Sequence, residues 1–143
     1  MDELVIKYYR RLLKTGFTNA GSLPNPDIFL DSVGEKIAVC GHSAQNYMHI
    51  FIKLASQQIE EIKYLCNCDP TANVVVEILC TLVKGNTLAE VETLTKEAFA
   101  NALGSSGEEF LKKSAGIIEL LHRGTSRYRD VHPGPSASGG PTG

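Results

Sequence analysis

The chain has 143 residues, 43% hydrophobic and 21% charged, and its 14 Lys+Arg against 16 Asp+Glu give a formal charge of −2. That length suits one domain with a real core, the apolar share excludes disorder over most of it, and the charge balance excludes a basic nucleic-acid face. No apolar run approaches the ~20 residues of a membrane span. Asp2 and Glu3 stand ahead of any apolar stretch, unlike a signal peptide, so a cytoplasmic protein with neither nucleic acid nor membrane as partner is expected. There the 4 cysteines read better as ligands, reactive thiols or core fillers than as disulfides.

Residues 2–15 place Leu4, Val5, Tyr8, Tyr9, Leu12 and Leu13 on one helical stripe, and Gly16 stops the helix. From 17 to 35 glycine, proline, Asn and Asp predict a loop with one short strand at 27–30. Lys36–Cys40 is short and β-like. Tyr47–Leu54 alternates, with Met48, Ile50, Ile52 and Leu54 on one face and Tyr47, His49, Phe51 and Lys53 on the other. Ile59–Cys66 places Ile62, Tyr64 and Cys66 on one face, and Ala55-Ser56-Gln57-Gln58 fits a four-residue hairpin loop between the two strands.

The period then changes to 3.6. Asp69 is suited to cap a helix opened by Pro70, with Val75, Val76, Leu79, Leu82 and Val83 in one stripe and Gly85 at its end. Thr87-Leu88-Ala89-Glu90 fits a capping box, a further helix follows near 96–103, and Ser106-Gly107-Glu108-Glu109 fits a second box. The helix it would cap runs from 108 to about His122. Residues 125–143, poor in large apolar residues and rich in proline and glycine, predict a disordered tail. The expected architecture is α+β: a small antiparallel three-stranded sheet packed against helices in a domain spanning 1–124.

The hairpin carries the chemistry. A loop at 55–58 pairs Leu54 with Ile59 and, in the same register, Tyr47 with Cys66. Cys40-Gly41-His42 and Cys66-Asn67-Cys68 then meet at one end of the hairpin. In extended chain residues i and i+2 point to one side, so the geometry collects three sulfurs and an imidazole. Such a Cys3His set suits tetrahedral zinc or an iron–sulfur cluster. The positive end of the helix after Cys68 should lower thiol pKa values there. Cys80 lies twelve residues further on, along the helix, and reads as a buried structural thiol. His49 reads as a sheet residue, His122 as a helix C-terminal residue favoured by the dipole, and Lys112 and Lys113 as a solvated face, with a lysine near the metal or cluster site as the lesser alternative.

Val5-Ile6-Lys7-Tyr8-Tyr9 followed by Asn19-Ala20-Gly21-Ser22-Leu23 resembles the opening of NifU/IscU-type iron–sulfur cluster scaffold proteins. So does Cys40-Gly41 ahead of a hairpin, then Tyr64-Leu65-Cys66 entering a helix that ends in Val83-Lys84-Gly85-Asn86-Thr87-Leu88. The resemblance implies an α+β fold and a platform, not a turnover enzyme, that assembles a [2Fe–2S] cluster and passes it to apo-proteins. It implies a cysteine desulfurase and client apo-proteins as partners, with zinc as another occupant of the same site. The family's first cysteine falls on Cys40 and its second on Cys66, with Cys68 an alternative. Its aspartate falls on His42. Its third cysteine should lie near Lys112, Lys113 or Ser114, where this chain has none. Cys68 is expected to supply the missing sulfur, and a cluster shared in a homodimer would also complete the ligand set. The rival readings are a structural-zinc interaction module and a thiol or persulfide relay using Cys66 and Cys68.

Overall fold

A computed structural model describes residues 2–40 and 45–132. Helix α1 spans Glu3–Thr15, with the Asp2 carboxylate accepting from the Leu4 N–H at its start and Gly16 at φ 101° after its end. Three strands follow: β1 (Ile28–Asp31), β2 (Tyr47–Ala55) and β3 (Gln58–Asn67), paired antiparallel in the order β1-β2-β3. The remaining helices are α2 (Pro70–Val83), α3 (Leu88–Val91), α4 (Lys96–Leu103) and α5 (Glu108–Val131). No described helix is long and apolar enough to cross a membrane.

Alternation decides the sheet's faces. Ile28, Leu30, Met48, Ile50, Ile52, Ile62 and Tyr64 are buried on the face covered by helices, with Phe29 on the other. Ile59 is buried as well, three residues before Ile62, and strict alternation cannot bury both. The sheet resolves this with a register shift: Leu54 pairs with Ile59, but Lys53 pairs with Glu61. Beyond the shift Met48, not Tyr47, stands opposite Cys66. The expected pairing of Tyr47 with Cys66 is therefore one residue out, because an unbroken register ignored the extra residue. The turn is also tighter than a four-residue loop. Ala55 pairs with Gln58, leaving Ser56 and Gln57 at φ 54° and 67°, both left-handed as in a type I′ turn.

The free edge of β3 is covered rather than exposed. Tyr64 exchanges backbone bonds with Asn19 and Gly21 at one end, and Ile59 does so with Gly85 and Asn86 at the other. Segment 36–40 is not a strand. It is turn and irregular chain, with Lys36 at φ 59°.

Helix α2 is the core helix. Its buried residues include Thr71, Ala72, Val74, Val75, Val76, Ile78, Leu79, Cys80 and Val83, so burial reaches well past a single stripe. Packing from α1, α5 and β3 overrides the modest helix preference of three consecutive valines. Asp69 caps it as expected, Oδ1 accepting from the Ala72 N–H at 2.8 Å, and the Thr87–Glu90 capping box is formed. The second box is not. Gly107 occupies the N-cap of α5 without a side-chain cap, and Ser105 accepts from the Gly107 N–H while its hydroxyl donates to Asp2.

Helix α5 runs on to Val131, so residues 125–131 are helical rather than tail, and 133–143 lie outside the described residues. Gly124 ends nothing. It is a contact point where a Cβ would overlap Leu30 Cδ2 and lie 3.3 Å from Ile28 Cγ2, which lets α5 settle against β1. His122 accordingly sits mid-helix, its Nε2 3.0 Å from the Val91 carbonyl, and not at a helix end.

Two glycines of this helix give opposite expectations. Gly116→Ala, whose Cβ would meet Val39 Cγ2 at an ordinary 3.6 Å, should raise stability by about 0.5–1 kcal/mol through helix preference. Gly124→Ala should lower it by about 1–3 kcal/mol despite the same preference, because buried Leu30 must move. Urea midpoints of the two variants check both signs.

Candidate functional site

Cys40 sits at the end of the irregular segment after β1, and Cys68 lies between β3 and α2. The sheet brings them together: their Cα atoms are 4.6 Å apart and the sulfurs are joined as a disulfide across 28 residues. Each sulfur also lies 3.3 Å from the Tyr47 carbonyl, at the start of the strand between the two segments. Composition favoured ligands, reactive thiols or core fillers over disulfides; of the sulfurs that the hairpin was expected to gather, Cys40 and Cys68 are bonded to each other instead. Cys40 is buried and Cys68 half-buried. The Asn46 amide donates to the Cys40 carbonyl at 2.5 Å, and the Asn67 amide to the Gln45 carbonyl at 3.2 Å, fastening the flanking chain.

Cys66 takes a different position. Its strand pairing puts it opposite buried Met48 on the core face, and its thiol donates to Asn73 Oδ1 on α2 at 3.6 Å. Burial first, then the charges of Asp69 and Glu77, push this thiol up to about 11. The helix N-terminus was expected to favour thiolate, but at Cys66 desolvation and two carboxylates outweigh it. Cys80 is fully buried in α2, its thiol pushed up by the same burial, in keeping with a structural role. His42 lies outside the described residues. Among the described residues, no three His, Cys, Asp or Glu side chains are grouped to hold a metal ion.

Two features of the site differ from what the sequence favoured. Lys113 is not on a solvated face: its side chain is 12% exposed, with Nζ 3.2 Å from Asp69 Oδ2 and donating to the Val39 carbonyl at 3.0 Å. It thus touches the neighbour of each paired cysteine. The only sequence signal was its place in the stretch 112–114 where the resemblance looked for a cysteine. The second is a buried chain behind Cys66. Asn73 reaches the Tyr64 hydroxyl at 3.5 Å, that hydroxyl donates to Glu77 Oε2 at 2.7 Å, and Asn19 donates to Glu77 Oε1 at 2.9 Å. Glu77 is 3% exposed, and its charge amid Val74-Val75-Val76 and Ile78-Leu79 was a readable sign of a partnered carboxylate. His49 lies on the outer face of the sheet beside the rings of Phe29 and Tyr47, with Nε2 3.5 Å from Asp31.

The raised Cys66 thiol sets its reactivity. In the metal-free oxidised chain at pH 8, Cys66 should alkylate about 100-fold more slowly than an ordinary cysteine, and its rate should rise about tenfold per pH unit and level off only near its raised value of about 11. Mass spectrometry of timed iodoacetamide reactions from pH 7 to 11 measures this. An ordinary rate at pH 8 would contradict the described environment.

No protein-family model matches the sequence, and no curated protein matches it. Solved structures do. An iron–sulfur cluster assembly scaffold protein for the SUF system from the thermophile Fervidobacterium islandicum AW-1 is similar at a TM-score of 0.59 and 12% identity, covering 87% of this chain and 96% of its own. The N-terminal part of a nitrogen-fixing NifU-like protein from Brucella abortus is similar at 0.50 and 11% identity, covering 95% of this chain and 87% of its own. At such identities the likeness is one of fold. With its three-stranded antiparallel sheet, covering helices and long final helix, this chain has a NifU/IscU-like fold.

Proposed function

We propose that the chain is a cytoplasmic iron–sulfur cluster scaffold or carrier, which takes a [2Fe–2S] cluster as cargo at Cys40 and Cys68 and passes it to apo-proteins. The observation that carries this reading is the adjacency of the two cysteines at a loop–helix junction of this fold. Two electrons and two protons from a thiol reductant open the Cys40–Cys68 bond, leaving two neighbouring thiols that become cluster ligands on deprotonation. Thiolate sulfur is the donor that iron and sulfide demand. Cys68 stays half-buried, within reach of a client.

Two cysteines are half of an ordinary cluster's ligand set. His42 and Cys66 are the nearest candidates in sequence to complete it, and a second copy of the chain would do so by sharing the cargo. The resemblance assigns a cysteine desulfurase as sulfide source. Such a platform binds and releases without turning over a substrate. Zinc suits the same donors, and a colourless chain carrying zinc would mark an interaction module instead.

The disulfide itself favours a second reading. A thiol redox or sulfur-relay protein would use such a pair directly, through Cys40 and Cys68 rather than Cys66 and Cys68.

Anaerobic reconstitution of the reduced chain with ferrous iron and sulfide separates the readings, followed by ultraviolet–visible and Mössbauer spectra of wild type and single Cys→Ser variants. Cys40→Ser and Cys68→Ser should abolish the chromophore, and Cys80→Ser should leave it intact. Cys66→Ser, whose thiol is engaged by Asn73, should shorten its lifetime without abolishing it. A reduced wild type that takes up neither iron nor zinc would end the scaffold reading in favour of thiol redox chemistry.

A further inference from the structure

Lys113 meets the paired-cysteine site from α5, while Cys40 and Cys68 come from two other segments. Its Nζ donates to the carbonyl of Val39, the residue before Cys40, at 3.0 Å and pairs with Asp69, the residue after Cys68, at 3.2 Å. The Lys113 side chain is 12% exposed and that of Asp69 37%, so the ammonium is the shielded partner of the pair. Asp69 has both oxygens in use, Oδ1 on the Ala72 N–H at the start of α2 and Oδ2 on Lys113. One ammonium therefore ties the Cys40 segment, the Cys68 segment and α5 at a single point. Neither cysteine segment has a strand ladder of its own at this point: Cys40 follows irregular chain and Cys68 follows the last residue of β3.

We propose that Lys113 is the positioning residue of the Cys40–Cys68 pair, holding the two sulfurs at the spacing that the site's chemistry requires. The inference takes the pair to be the working site, as the proposed function does, whether its cargo is a cluster or the pair itself is redox-active. Two thiols held side by side react at a high effective concentration, and that concentration falls when the segments bearing them move independently.

The test is the glutathione equilibrium of the metal-free chain. Glutathione disulfide takes two electrons from the pair, the Cys40–Cys68 bond forms, and two glutathione thiols are released. Lys113→Met should lower this equilibrium constant about tenfold, and Lys113→Arg should restore most of it. Asp69→Asn keeps an N-cap oxygen while losing the charge partner, so it should also lower the constant. Lys113→Met with Asp69→Asn should lower it no further than Lys113→Met alone, since both remove one clamp. Lys84→Met, which breaks the exposed pair with Glu61, should change nothing.

A constant within twofold of wild type in folded Lys113→Met, or losses that simply add in the double variant, would overturn the proposal. If Lys113→Met does not fold, an unchanged constant in Asp69→Asn does so instead. Because no metal enters the measurement, failure of cluster reconstitution and failure of the clamp are separate results.

Discussion

The close approach of α5 to β1 at Gly124 is the constraint on which the cysteine site depends. Any side chain there would overlap Leu30, and the absence of one lets a single face of the helix lie along the chain between β1 and Cys40. Lys113, Gly116, Arg123 and Arg127 recur on that face at helical spacing. Gly116 backs onto Ile37 and Val39, Arg123 donates to the Glu35 carbonyl at 2.9 Å, and Lys113 reaches the Val39 carbonyl. Arg127 lies on the Glu35 carboxylate and holds it below the usual carboxylate range. Segment 32–40 has no strand pairing of its own and is held by local turns, by Ser32 against Met48 and by Asn46 on the Cys40 carbonyl, so this helix shares in placing Cys40 beside Cys68.

The other half of the site is set by β3 and its shifted register. With one extra residue accommodated near the turn, both Ile59 and Ile62 reach the core, and every later residue of β3 takes its face from that shift. Cys66 lands on the core face against α2 and joins the buried chain through Asn73 and Tyr64 to Glu77. Cys68, just past the strand, turns to Cys40. Two cysteines separated by one residue thus have different environments: one hydrogen-bonded and held protonated, one paired.

That division gives the fold a chemical logic. The pair stands where three segments meet, on the rim of a helix-covered sheet, while the stable core of Val74, Val75, Leu79 and Leu120 lies behind it. In the proposed carrier, a site of this kind benefits from segments placed by a rigid framework rather than built into it. The capped start of α2 fixes the flank of Cys68, and Lys113 of α5 holds the irregular approach to Cys40.

Much of the fold was legible because its determinants are local. Alternation in 47–54 marked a strand, Asp69-Pro70 and the Thr87–Glu90 box marked helix starts, and the bounds 96–103 were read directly. Local signals misled where one residue served a distant contact. The helix expected to end near His122 runs on to Val131, and Gly124 within it serves Leu30, which is ninety-four positions away in sequence. Lys113 looked solvated because its partners, Val39 and Asp69, lie on other elements. By itself the sequence determined most of the elements, the faces of the hairpin strands and the meeting of Cys40 with Cys68 near one end of the hairpin, since periodicity and capping act within a few residues. Only tertiary structure decided which cysteines meet, because a one-residue shift in β3 and the closeness of α5 come from packing between segments far apart along the chain.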